Sequence, residues 1–217
     1  MTIEISAFGS VPDFAQGYVR DLRVRWALEE LGQAYDAVLI DLEEKNSENY
    51  RAWQPFGQVP AYRDSEVEMF ESGAIVLYLA GKFGDLCPED PAGRARVMTW
   101  VIAALNSIEP FSWNLLFFND AEADKASAEA RRAKIEATLG PRLAALEARL
   151  SRHDYLEGGF TVADIIMSTT LREMIRSDLL KPFPALEAYV KRCTARPAFA
   201  RALEAQMKPF READAAA

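Results

Sequence analysis

The chain has 217 residues, half of them hydrophobic, with 25 Lys plus Arg against 33 Asp plus Glu and a formal net charge of −8. That length can bury one or two good cores, and the apolar content excludes a disordered protein. The acidic balance argues against a nucleic-acid partner, which would select a basic face, and against attraction to an anionic membrane surface. No apolar run is long enough to span a bilayer. The opening MTIEISAFGS has neither a basic n-region nor a long apolar h-region, so no signal peptide is expected. Cys87 and Cys193 lie far apart in sequence and make no disulfide framework, which fits a reducing, cytoplasmic setting.

In chain order, Thr2 to Phe8 alternate weakly and read as a strand. Gly9 to Asp13 is a loop by its turn chemistry. The segment FAQGYVRDLRVRWALEELG carries a helical apolar pattern at Leu22, Val24, Trp26, Ala27, Leu28 and Leu31, with Gly32 as its stop. Tyr35 to Ile40 reads as a second strand, and DLEEKNSENYRAWQPFG as a short irregular helix ending before Pro55. Strand-like runs at Ala61–Arg63 and Val67–Phe70 flank a polar turn, and an apolar helix follows Ser72 to about Phe83. The predicted order is β-α-β-α-β-β-α.

The stretch GQVPAYRDSEVEMFES, Gly57 to Ser72, stands out within that order. Pro60 opens a strand, fixing φ and removing one donor. A cis Val59-Pro60 bond would turn the Val59 backbone outward, where it can pair with a bound peptide. Ser72 is well placed as an N-cap with Glu71 before it, and a helix N-terminus offers free N–H groups to a carboxylate.

Gly84 to Gly93, GDLCPEDPAG, has no apolar period and reads as a linker. Beyond it the pattern is helical. Arg94 to about Asn119 carries apolar residues on more than one face. Ile135, Leu139, Leu143, Leu146 and Leu150 fall at helical spacing, with Pro141 expected to kink or divide their helix. Thr161 and Asp164 have capping-box spacing. His153, the one histidine, lies in a polar SRHDY turn, and no metal site is expected. The last residues, READAAA, are expected to fray.

V-P, a hairpin-like interval, then E-S opening an apolar helix resembles the glutathione-binding signature of the cytosolic glutathione transferases of the two-domain, bacterial type. RVRWALEELG is similar to their first helix, and G-x-F-T-x-A-D and the tail PFPALEAYVKRCTARPAFARALE to their second domain. The resemblance implies an α/β plus all-α protein. A thioredoxin-like glutathione-binding domain would cover 1–83, a linker 84–91, and an all-helical C-terminal domain 92–211. It implies that glutathione binds at Gln58, Val59, Pro60, Glu71 and Ser72, with Lys45 reaching its glycine carboxylate. The residue before the proline would pair with the cysteinyl backbone, and the Glu-Ser pair would hold the γ-glutamyl carboxylate and amine. Asp164 is assigned to folding rather than catalysis.

The implied reaction begins with a thiol of pKa near 8.5, only about 3% thiolate at pH 7. The enzyme must therefore favour the thiolate, by a donor at the end of the first strand or at the start of the first helix, where the helix dipole helps. Tyr18, five residues before Arg23, is the first candidate. Ser10 is the second, and a backbone N–H or Arg20 remains open. No cysteine lies here, which weighs against a mixed-disulfide mechanism. Phe111, Trp113, Leu116, Phe117 and Phe118 read either as core or as a wall for a small electrophile, with Phe111, Trp113 and Phe117 the substrate candidates. A homodimer and a role in detoxification are also implied. The rivals are a glutathione-dependent isomerase or reductase, and a non-catalytic binding protein on the same fold.

Overall fold

The computed structural model describes residues 2–117, 125–176 and 178–216. The chain forms two compact units, 1–87 with 195–217, and 88–194. The elements of the first unit are β1 (Ile3–Phe8), α1 (Asp21–Glu30), β2 (Tyr35–Ile40), α2 (Glu48–Trp53), β3 (Ala61–Arg63), β4 (Glu68–Phe70) and α3 (Ser72–Phe83). The second unit holds α4 (Pro91–Ile102), α5 (Glu109–Phe117), α6 (Lys125–Leu150), α7 (Val162–Ile175) and α8 (Pro184–Thr194), and α9 (Pro197–Ala216) returns to the first.

The sheet order is β2-β1-β3-β4, with β1 and β2 parallel and the other pairs antiparallel. This is the expected thioredoxin-like arrangement. β1 is an inner strand, with Ile3, Ile5, Ser6 and Ala7 buried and Glu4 and Phe8 half-buried, so neither face is open to solvent as a whole, which explains the weakness of its alternation. α1 is buried from Asp21 to Leu28 because α3 and α9 both pack on it.

The tail departs from the expected boundary. α9 packs against α1 instead of extending the helical domain to 211. Trp26 meets Phe199 edge-to-face at 4.8 Å. Arg196 makes a two-pronged ion pair with Glu30, at 2.6 and 2.8 Å, and Arg201 reaches Glu29 at 2.7 Å. The READAAA segment is helical through Ala216 rather than frayed.

In the second unit, α7 is its buried axis. The Thr161–Asp164 capping box forms, and Asp164 accepts further bonds from Leu156 N–H and Tyr189 Oη, both at 2.9 Å. Burial pushes the Asp164 carboxyl upward against these two donors and the Thr161 N–H and Oγ1. It also pushes the Cys193 thiol up to about 12, so that thiol is inert at neutral pH. Both cysteines are free. Two carboxylate oxygens of Glu147 on α6 accept the Ala185 and Leu186 N–H groups at 3.0 Å, capping α8 from outside.

Two helix expectations change. The helix from Pro91 contains a π stretch, Ala103–Ile108, ahead of Pro110. A proline removes one helical donor and crowds the carbonyl four residues earlier, and the wider turn accommodates it. α6 runs through Pro141 undivided. Among the described residues, no helix is long and apolar enough to cross a membrane.

At the β3–β4 turn, the Asp64 side chain is 2% exposed. It accepts from Lys82 Nζ at 2.6 Å, Tyr62 Oη at 2.7 Å, and the Glu66 and Val67 N–H groups at 2.8 and 3.0 Å. Burial would raise its carboxyl, but these donors hold it well below the usual carboxylate range. A depressed folded pKa contributes stability that is complete above the unfolded value, about 3.9, and is lost as pH falls below it. Asp64→Asn is therefore expected to lower stability at pH 7, with the gap to wild type closing below about pH 4. Urea titrations between pH 7 and pH 3 measure this.

Candidate glutathione-binding site

The first unit carries the site. The β3–β4 register pairs Ala61 with Phe70. Val59-Pro60, just before Ala61, and Glu71-Ser72, just after Phe70, therefore lie at the same end of one hairpin. The two halves of the signature are brought together by strand pairing alone.

The Val59-Pro60 peptide is cis. The Val59 side chain is buried with Ile40 and Tyr50. Among the described residues, no group bonds to the N–H or C=O of Val59. The polar groups of Gln58 and Ala61 that flank Val59-Pro60 are held. Gln58 N–H donates to Gln54 Oε1 at 3.2 Å, Gln58 C=O accepts from Tyr50 Oη at 2.5 Å, and Ala61 N–H donates to Ser6 Oγ at 2.7 Å.

On the other side of the site, the N-cap position of α3 belongs to Glu71, not Ser72. Glu71 has φ 71° and ψ 109°, and its exposed side chain makes no cap bond. Such a conformation in a residue with a Cβ costs on the order of 1–3 kcal/mol and clusters at binding sites. Ser72 is the first helical residue and is buried. Its Oγ accepts from Arg23 Nη1 at 3.3 Å. The first helical bond is Ile75 N–H to Glu71 C=O, so the N–H groups of the opening turn are unused by the helix.

Lys45 sits in a short 3₁₀ turn, Glu44–Asn46. Gly57 has φ +63°, and a Cβ there would stand 2.8 Å from the Lys45 carbonyl oxygen. The glycine thus lets the Lys45 turn approach the residue that precedes Gln58. Gln58 is exposed and Lys45 half-buried.

The thiolate candidates lie on two neighbouring segments. Ser10 is exposed, two residues beyond β1, and Tyr18 is half-buried, three residues before α1. Phe8 and Val19 both pack against the Ile40–Tyr50–Val59 cluster, which brings both segments beside the Val59 turn. Gln206 of α9 braces the second segment, donating to Val19 C=O at 3.0 Å and Asp21 Oδ1 at 2.6 Å.

The expected apolar wall belongs to the second unit. Phe111 is half-buried on α5, with the Arg142 guanidinium 4.4 Å from its ring centre. Trp113 is half-buried on the same helix. Phe117 ends α5, and its side chain, like that of Leu116 and the whole of Phe118, lies outside the described residues.

Sequence reading missed Tyr50 and Gln54, which hold Gln58 from the preceding helix and loop, and Ser6 and Gln206, which act from distant positions in the chain. Ser6 carried a usable signal, a hydroxyl within an apolar strand, since a buried hydroxyl requires a partner.

The model of the glutathione S-transferase N-terminal domain matches residues 21–89, and that of the glutathione S-transferase C-terminal domain matches 108–197. Glutathione S-transferase 3 of Zea mays is 30% identical over 201 residues, covering 85% of this chain and 88% of its own. A glutathione S-transferase of Hyoscyamus muticus is 28% identical over 195 residues, covering 84% and 92%. Among solved structures, a glutathione transferase of Burkholderia graminis, with two glutathione molecules bound per subunit, superimposes with a TM-score of 0.81 at 26% identity, covering 94% of this chain and 88% of that one. Both domain models are matched in order, and the likeness to the maize protein extends across most of both chains, so this chain belongs to the glutathione S-transferase family.

Proposed function

We propose that the protein binds glutathione along the hairpin end bearing Val59-Pro60 and Glu71-Ser72, and adds its thiolate to a small hydrophobic electrophile in a cytoplasmic detoxification role. The observation that carries this reading is the pair of Val59 backbone groups, unbonded among the described residues, beside the N–H groups of the opening turn of α3 that its helix does not use. An extended peptide can pair with the first, and a carboxylate with the second.

In this reading the cysteinyl backbone of glutathione pairs with Val59. The γ-glutamyl carboxylate meets Ser72 Oγ and the α3 N-terminus, and Glu71 takes the γ-glutamyl amine. Arg23 beneath Ser72 adds a positive charge that favours the same anion. Gln58 and Lys45 contact the rest of the tripeptide, Lys45 at its glycine carboxylate. Tyr18, or failing it Ser10, donates a hydrogen bond to the sulfur and stabilises the thiolate as its proton leaves to solvent. The sulfur then forms a bond to the electrophilic carbon. A leaving group departs with the bonding pair, or the adduct takes up a proton. Phe111, Trp113 and Phe117 contribute the apolar surface for that co-substrate. The active form is a two-fold homodimer, and Met98 and Ile102, exposed one turn apart on α4, supply apolar surface for an interface.

Three outcomes follow from this reading. Calorimetry should detect millimolar or tighter glutathione binding to the folded protein. Ser72→Ala should weaken it about tenfold, the scale of one hydrogen bond to a charged group; an unchanged affinity would remove Ser72 from the site. Tyr18→Phe should leave glutathione affinity nearly unchanged but lower turnover by roughly ten- to a thousandfold. It should also raise the pKa of bound glutathione, followed by thiolate absorbance, while Ser10→Ala changes neither quantity. The reverse pattern assigns the role to Ser10. Light scattering at micromolar concentration should give twice the chain mass, and a monomer mass would refute the dimer.

A further inference from the structure

Ser6 lies in the middle of β1 with no exposed surface. An aliphatic residue would suit that position, because a buried hydroxyl is costly unless it is bonded. Its bonds are specific. Ser6 Oγ lies 2.7 Å from Ala61 N and 2.7 Å from Tyr50 Oη, and Tyr50 Oη lies 2.5 Å from Gln58 O.

The direction of each bond is fixed by chemistry. An amide N–H only donates, and a carbonyl oxygen only accepts. Ala61 therefore donates to Ser6, and Tyr50 donates its one hydrogen to Gln58. Ser6 must then donate to Tyr50. The result is a one-way chain, Ala61 N–H to Ser6 to Tyr50 to Gln58 C=O. Burial raises the Tyr50 hydroxyl above its ordinary pKa, so its proton is present throughout the neutral range.

The two ends of this chain are the backbone groups on either side of Val59-Pro60. Gln54, itself 2% exposed, holds the Gln58 N–H from the other side. The Tyr50 ring packs against the Val59 side chain. The Gln58 N–H, the Gln58 C=O and the Ala61 N–H are all held, while among the described residues no group bonds to the Val59 N–H or C=O.

We propose that Ser6 and Tyr50 are positioning residues for the peptide ligand. Their chain closes a clasp across Gln58–Ala61 and sets the direction in which the Val59 N–H and C=O point. The inference rests on the glutathione-binding reading above. The clasp acts on the ligand backbone, so it governs how tightly the tripeptide is held and not how its sulfur reacts.

The test uses Tyr50→Phe, which keeps the ring and removes only the hydroxyl. Binding is measured by calorimetry with glutathione and with S-methylglutathione, which has no thiol to ionise. Affinity for both should fall by a similar factor, about tenfold. KM for glutathione should rise by that factor, with kcat at saturation within about twofold of wild type. Ser6→Ala should give the same split, and the double variant should be no worse than the weaker single, because the two hydroxyls act as one unit. Tyr62→Phe is the control. It deletes the hydroxyl of another buried tyrosine of the same unit, on β3, one that donates to Asp64 at the β3–β4 turn, and it should lower Tm without changing glutathione affinity.

Wild-type affinity in Tyr50→Phe overturns the inference. So does an equal loss in Tyr62→Phe, which would mean general softening of the sheet, or a fall in kcat with KM unchanged. If Ser6→Ala does not fold, Tyr50→Phe with its control still decides. Failure of wild-type protein to bind either ligand sinks the underlying glutathione reading, an outcome distinct from loss of the clasp alone.

Discussion

A hydroxyl buried in the central strand is the constraint on which the site depends. Ser6 cannot reach water, so it must find its partners inside the unit, and the two it finds belong to α2 and to the start of β3. Each such bond contributes only about 1 kcal/mol to net stability. The larger consequence is geometric, because leaving any one group unpaired in the interior costs more than the bond gains. The polypeptide from Gln58 to Ala61 thus has one arrangement that satisfies all of these groups. The hairpin register then carries that order across to Glu71 and Ser72, where Arg23 holds the serine hydroxyl from below.

The same logic operates at the far side of α1. Asp21 and Arg25 are buried and paired at 2.7 Å. Burial alone raises the Asp21 carboxyl, with the pairing to Arg25 and the bond from Gln206 working against it. Such a buried pair is weak evidence for stability, since desolvation offsets attraction. Its value here is positional. Gln206 bonds both Asp21 and the Val19 carbonyl, so α9 anchors the short segment that carries Tyr18. The final helix is in this way part of the support for the candidate chemistry.

The features legible in the sequence are those governed by local pattern. The order of elements, the β3–β4 hairpin, the Gly32 stop and the Thr161–Asp164 box all come from propensity, turn chemistry or short spacing. The Val59-Pro60 and Glu71-Ser72 pairs were legible for a different reason, their resemblance to a family signature. What was not legible depends on partners distant in the chain. Ser6 meets Tyr50 and Ala61, and Gln206 meets Asp21, across separations that no periodicity reports. The cap of α3 was assigned to Ser72 because serine favours that position. The positive φ of Glu71 is a conformation that nothing about a glutamate announces. The tail read as part of the helical domain because it is helical, and only the Glu29, Glu30 and Trp26 contacts show that it belongs with α1.

The central claim is that the Val59 backbone and the α3 N-terminus together form the recognition edge for glutathione. A crystal structure of the protein with S-methylglutathione tests it most directly. The account predicts the cysteinyl N–H and C=O paired with Val59, and the γ-glutamyl carboxylate within hydrogen-bond distance of Ser72 Oγ. A ligand bound elsewhere, or bound at this edge with the Val59 groups still unpaired, would contradict it.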